Sequence, residues 1–223
     1  MNFKKKSLGQ NFLRDKNIIN KIVHSVQIKD KNVVEIGPGD GALTDQIIKQ
    51  KPKNLILIEK DLKLYLQLKS KYKSEKFVKV VCYDFLEINL ESIIKENTII
   101  FGNLPYNVSS QILIKLLKSC HLTTKYEDLI LMFQKELGEK IVAKFPSSKY
   151  GRLSIITSLI LNLKKKFLVS PNCFKPIPKV QSLVLHLKPK RKKISNITDI
   201  NNLEKITNIL FSNKRKMINK SLK

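Results

Sequence analysis

The chain has 223 residues, enough for one α/β domain of ordinary size and a small appendage. Its 42% apolar and 27% charged composition is that of a soluble globular protein, and no apolar run approaches the roughly 18 residues that cross a bilayer. Forty-three basic residues against eighteen acidic give a net charge of +25, a balance that repels cations and attracts polyanions, nucleic acid first among them.

A blander reading of that charge stands beside the first, because only Arg14, Arg152, Arg191 and Arg215 are arginine and the many lysines could simply solvate helix faces. Cys82, Cys120 and Cys173 lack CxxC spacing, and His24, His121 and His186 form no HxxxH array, so neither a disulfide framework nor a metal site is expected. The basic start, Met1 to Lys6, is followed by no apolar stretch of signal-peptide length, so a cytoplasmic protein without a membrane partner is expected.

In chain order, Asp15 to Val26 reads as a helix with Asp15 as N-cap. Short apolar runs then alternate with helical spacing, the pattern of βα units building a parallel sheet. The strands are expected at Asn32–Ile36, Asn54–Glu59, Phe77–Cys82, Thr98–Gly102 and Asp128–Phe133, with helices at Ala42–Gln50, Leu62–Lys71 and Ser109–Ser119. Past Gln134 come a helix at Lys135–Lys144, a break at Pro146-Ser147-Ser148 and an apolar stretch from Leu153 to Leu163. Lys166–Val169 and Ser182–Leu187 are expected to make an antiparallel edge hairpin across the proline-rich link "SPNCFKPIPKVQS". "KPKRKK", Lys188–Lys193, marks a boundary between a main domain, 1–188, and a short helical domain, 189–223, with two short helices.

Four strand ends carry chemistry. "VVEIGPGDGALT" sets Gly37, Gly39 and Gly41 between the first strand and its helix, where a backbone without Cβ atoms and unpaired helix N–H groups suit a ligand. Gly37, Gly39 and Ala42 also fit the dinucleotide fingerprint, so a hydride-transfer enzyme and plain turn glycines both stay open. Glu59 ends the second strand, 22 residues after Gly37, where a carboxylate can accept from ribose hydroxyls. Asp84, just past the third, can accept from an exocyclic amine, and Phe85 can stack on a purine. The series points to a nucleoside-containing cofactor. At the fourth end "GNLPYN" offers only an isolated tyrosine, a poor proton donor for hydride chemistry, and "NLPY" resembles the (Asp/Asn)-Pro-Pro-Tyr signature of enzymes that methylate exocyclic amines with S-adenosyl-L-methionine.

"GQNFL", "EIGPGDGALT", "IEKD", "GNLPYN", "YGRLS", "FKPIPKVQS" and "KRKMINKSL" occur in the order seen in the ribosomal RNA adenine dimethyltransferases, and the resemblance spans essentially the whole chain. It implies a Rossmann-like class I methyltransferase fold, S-adenosyl-L-methionine as cofactor, and small-subunit rRNA in an immature ribosomal subunit as partner of a monomeric enzyme. Within the superfamily "YGRLS" and the terminal "FSNKRKMINKSLK" resemble the small-subunit enzyme, which dimethylates two adjacent adenosines in a hairpin near the RNA 3′ end. The antibiotic-resistance enzymes of the large subunit and a non-enzymatic assembly factor are the alternatives.

By that resemblance Asn11 and Leu13 line the cofactor, Gly37 faces its methionine part, Glu59 its ribose and Asp84 its adenine. Asn103 sits where cofactor and substrate meet. The Asn103 side-chain oxygen and the Leu104 carbonyl, set by a rigid Pro105, would accept from the adenine amine, with Tyr106 and Phe174 stacking on the flipped base. Leu104 stands where related signatures carry proline and is expected to leave room for a nitrogen already bearing one methyl. Relatives usually continue through several more C-terminal helices, so either a reduced form or a truncated sequence is expected. RNA docking is then expected to lean on "KPKRKK", "NKRKMINK" and the N-terminal "KKK".

Overall fold

The computed structural model describes residues 11–190 and 200–212. The expected N-terminal lysines, half of "KPKRKK" and the whole of "NKRKMINK" lie outside the described residues, as does the second of the two expected C-terminal helices. In chain order the elements are β1 (Phe12–Leu13), α1 (Lys16–Val23), β2 (Asn32–Ile36), α2 (Ala42–Lys49), β3 (Asn54–Glu59), α3 (Leu62–Lys71) and β4 (Val78–Cys82). There follow β5 (Thr98–Asn103), α4 (Ser109–Leu122), β6 (Tyr126–Gln134), α5 (Lys135–Ile141), α6 (Arg152–Ile160), β7 (Leu161–Val169), β8 (Phe174–Lys175), β9 (Ser182–Pro189) and α7 (Ile200–Ser212).

Seven strands form one sheet in the order β4-β3-β2-β5-β6-β9-β7. The first five are parallel, and β9 runs antiparallel to both β6 and β7. This is the α/β, mostly parallel sheet with an antiparallel edge that the sequence predicts. The central strands are continuous apolar runs because helices cover both faces, giving two cores. One gathers α4, α5 and α6 around Phe133, Leu113 and Leu185; the other packs α1, α2 and α3 around Phe101, Leu57 and Ile47.

Strand order reverses at β2, which pairs β3 on one side and β5 on the other. Outside the carboxyl ends of strands at such a switch point a crevice opens. The register fixes what faces it, since Ile36 is level with both Ile58 and Gly102, and Glu59 with Cys82. Aspartate caps set the helices entering this layer: Asp15 accepts from Ile18 N–H at 2.9 Å, and Asp61 from Lys63 and Leu64 N–H at 2.9 and 3.1 Å.

Three segments depart from expectation. The helix from Lys135 stops at Ile141, where the chain turns toward Pro146. The apolar stretch 153–163 divides, with α6 running to Ile160 and β7 starting at Leu161 with no loop between them. As an edge strand β7 exposes Asn162 through Lys166, so no period-2 signal marks its first half. "QNFL", an apparent helix lead-in, contains β1, which pairs β8 in a small second sheet with Leu13 opposite Phe174. Past the expected boundary, α7 packs on α6, with Ile200 buried, Glu204 bridging to Lys118 at 2.9 Å and Asn208 accepting from Arg152 at 3.2 Å. None of the described helices is long and apolar enough to cross a membrane.

Candidate functional site

One cleft lies at the switch point. It is lined by Asn11, Leu13, Glu35, Gly37, Gly39, Glu59, Asp84 and the run Asn103 to Val108. The glycine loop forms its floor. Gly37 and Gly39 both sit at φ +63°, a left-handed conformation that L side chains rarely adopt, and a Cβ on Gly39 would meet the Phe12 ring at 2.9 Å. Gly41 at φ +89° precedes α2 without any side-chain cap, so the N–H groups of the first turn are left for a ligand.

Glu59 ties this loop to the next strand end. Its Oε2 accepts from Gly39 N–H at 3.1 Å and its Oε1 from Asp61 N–H at 2.9 Å, and burial pushes the carboxyl above its ordinary range. Each oxygen keeps a lone pair for a further donor. Asp84 accepts from Leu86 N–H at 2.9 Å and pairs with Lys60 at 2.5 Å. Partial burial raises its pKa, but the Lys60 ammonium and the Leu86 N–H outweigh that and leave the carboxyl below its usual range. Asp84 therefore stays an acceptor at neutral pH. Phe85, offered by sequence as a stacking ring, points the other way into the core and is only 5% exposed, with the Lys115 ammonium over its ring at 5.7 Å.

At the end of β5 the Asn103 amide donates to the Asn11 carbonyl at 2.9 Å. This fixes which end of the amide is occupied and leaves Oδ1 as the acceptor end. It also joins "QNFL" to "NLPY" across 92 residues. The Leu104 side chain turns back onto Gly102 in the core and is 1% exposed, so its contribution to the cleft is backbone. Pro105 is the neighbour closest to Gly37, its Cδ 4.0 Å from where a Cβ would sit. The Tyr106 ring is half-buried, which raises the pKa of its hydroxyl, and that hydroxyl bonds Ser182 Oγ of β9 at 2.7 Å.

Phe174, the second of the expected stacking rings, opens β8. It is 3% exposed, does not line the cleft, and packs in the core with Leu13, its partner across the β1–β8 ladder.

Two groups went unread in the sequence. Ser182 anchors Tyr106, and its only signal was a hydroxyl opening the last strand. Glu35 lines the cleft from inside β2 at 1% exposure, and accepts from Thr44 Oγ1 at 2.6 Å. Burial is the main cause that lifts its pKa to about 8, with Thr44 opposing. A charged residue inside an otherwise apolar strand was the available clue.

A doubly wound sheet with a glycine loop, two strand-end carboxylates and an Asn-Leu-Pro-Tyr turn at the fourth end defines a Rossmann-like methyltransferase. The family model for ribosomal RNA adenine dimethylases matches residues 1–223. The chain belongs to that family and is an rRNA adenine dimethyltransferase. It is 45% identical to ribosomal RNA small subunit methyltransferase A of Pelagibacter ubique, over 97% of this chain and 81% of that protein. To the protein of the same name in Mycoplasmopsis synoviae it is 42% identical, over 96% and 80%. The crystal structure of a dimethyladenosine transferase from Plasmodium falciparum matches with a TM-score of 0.81 at 29% identity, covering 95% of this chain and 74% of that one. That of the 23S rRNA methyltransferase ErmE matches with a TM-score of 0.73 at 25% identity, covering 95% and 83%.

Proposed function

We propose that this enzyme methylates N6 of two adjacent adenosines in a hairpin near the 3′ end of small-subunit rRNA, in an immature subunit, giving N6,N6-dimethyladenosine. The observation that carries the reading is the Asn103 side chain, tethered through its NH₂ group to Asn11 with its oxygen left as an acceptor inside the glycine-loop cleft.

The cleft's chemistry fits S-adenosyl-L-methionine. Glu59 suits vicinal ribose hydroxyls, Asp84 the adenine amine, and the uncapped α2 terminus with Gly37 the methionine carboxylate; Asn11 and Leu13 close the N-terminal side. The cofactor supplies an electrophilic methyl on a sulfonium centre.

The residues of the chain do the rest. An adenine N6 lone pair is delocalised into the ring and is a poor nucleophile. Acceptors aimed at the N6–H bonds, Asn103 Oδ1 and the Leu104 carbonyl, favour a more tetrahedral nitrogen and localise that pair. Tyr106 offers a stacking face for a base taken out of its RNA loop, on the order of 1–3 kcal/mol. Phe174 acts beneath this surface by supporting Leu13, so it is a positioning residue. Catalysis is then mostly positioning.

Incubating the purified protein with methyl-labelled cofactor and separated, unmethylated small- and large-subunit RNA particles tests the substrate. Label is expected in small-subunit RNA as dimethyladenosine. Label confined to large-subunit RNA would move the enzyme to the antibiotic-resistance type, and no label in either would leave the binding-factor reading.

A further inference from the structure

The cleft does not account for an aromatic ring standing in solvent beyond α5. Phe145, in the loop from α5 to α6, is 80% exposed, the most of any large apolar side chain among the described residues. Its ring meets that of Tyr150 edge to face, with centroids 6.2 Å apart and planes at 77°. The pair orients the ring without covering it.

Lysines connect this ring to the target-base side of the cleft. The Tyr106 hydroxyl bonds Ser182, and Gln181 beside it accepts from Lys135 Nζ at 3.0 Å. Lys149, four residues after Phe145, bridges to Glu139 of α5 at 2.5 Å. The Glu139 carboxyl, held low first by that Lys149 bond, also feels the charges of Lys135 and of Lys166 on β7. Two carboxylates of α5, Glu139 among these three lysines and Glu136 bridged to Lys140 at 2.6 Å, are thus outnumbered by lysines on the surface that runs from Gln181 across α5 to the Phe145 loop.

Such a strip suits a phosphate backbone, and a bare ring at its end suits a base. An apolar peptide would want an apolar floor, whereas the exposed residues flanking Phe145 are Lys144, Pro146, Ser147, Ser148 and Lys149. We propose that Phe145 stacks on an unpaired nucleotide of the ribosomal RNA flanking the target adenosines, while Lys135, Lys149 and Lys166 follow the intervening backbone. The proposal rests on the rRNA reading above and gives the substrate a second anchor outside the cleft.

The test uses the full chain, its Phe145→Ala and Phe145→Tyr variants, and two synthetic RNAs: the target hairpin alone, and the same hairpin with a short single-stranded extension. Binding is read by fluorescence anisotropy across a salt series. Phe145→Ala is expected to weaken the extended RNA about tenfold or more, the worth of one stacked base. Phe145→Tyr should bind like the wild type. The bare hairpin should not distinguish the three proteins, and the salt slope should not change because no charge is removed. Wild-type binding of the extended RNA by Phe145→Ala overturns the inference and leaves the rRNA reading standing, as does equal weakening of both RNAs. If the wild-type chain binds S-adenosylmethionine but neither RNA, the rRNA reading falls with it. Loss of self-association in Phe145→Ala, with RNA binding intact, would assign the ring to a second copy of the chain and overturn the inference.

Discussion

At the scale of single residues, Asn103 carries the account. Asn103→Ala removes both the tether to Asn11 and the acceptor proposed to face the target amine, while Glu59, Asp84 and the glycine loop keep their own bonds. Turnover is expected to fall by a factor of about 10²–10³ or more, in the range seen when a single preorganised polar group at a reacting centre is deleted. Cofactor affinity, measured by calorimetry, should change only a few-fold. Glu35 gives a second residue-scale expectation. Its folded pKa of about 8 lies above the ordinary 4.5, so the unfolded chain releases this proton first as pH rises. Its contribution to stability is whole below about pH 4.5 and is lost as pH rises toward 8, at most about 5 kcal/mol at 1.36 kcal/mol per pKa unit. Glu35→Gln should flatten that part of the stability curve in denaturant titrations at pH 5 and pH 8, whereas an unchanged slope would mean that Glu35 is not the group responsible.

At the scale of elements, a brace holds the Asp84 side of the cleft. Lys115 on α4 donates to the carbonyls of Leu86 and Ile88 at 2.7 and 2.6 Å, clamping the turn that carries Asp84 to the helix that follows the Asn-Leu-Pro-Tyr run. Lys115→Met keeps the side-chain length and loses the clamp. Cofactor affinity should drop several-fold, with Lys115→Arg recovering part of it, and an unaltered affinity in Lys115→Met would show that the turn holds itself. The elements that place Gly37, Glu59, Asp84 and Asn103 were legible in sequence because each parallel strand is an apolar run ending in a conspicuous polar or glycine residue. β1 and β8 were not, since two-residue strands leave no period to read, and Leu13, opposite Phe174 in the ladder, lies 161 positions away from it in the chain. The direction a side chain takes at a strand end is likewise invisible in sequence, and only the fold shows that Phe85 and Leu104 carry theirs to the core instead of the cleft.

At the scale of the whole molecule, the charge of +25 is the largest lever on RNA binding. Composition showed its sign, and only the fold could show that Lys135, Lys149 and Lys166 converge on Glu139. RNA affinity should fall steeply with salt, and reversing charges within "KPKRKK" or "NKRKMINK" should lower the slope by about 0.7 for each single-strand phosphate that is no longer neutralised, if those segments touch RNA. A slope that no such change alters would place the RNA-binding cations elsewhere on the surface. The central claim, that this cleft makes N6,N6-dimethyladenosine in small-subunit rRNA, meets its most direct test in nucleoside mass spectrometry of that RNA. Cells carrying the wild-type gene, lacking it, or carrying Asn103→Ala are compared. The dimethylated nucleoside is expected only in the first; its persistence at normal levels in either of the others would contradict the account.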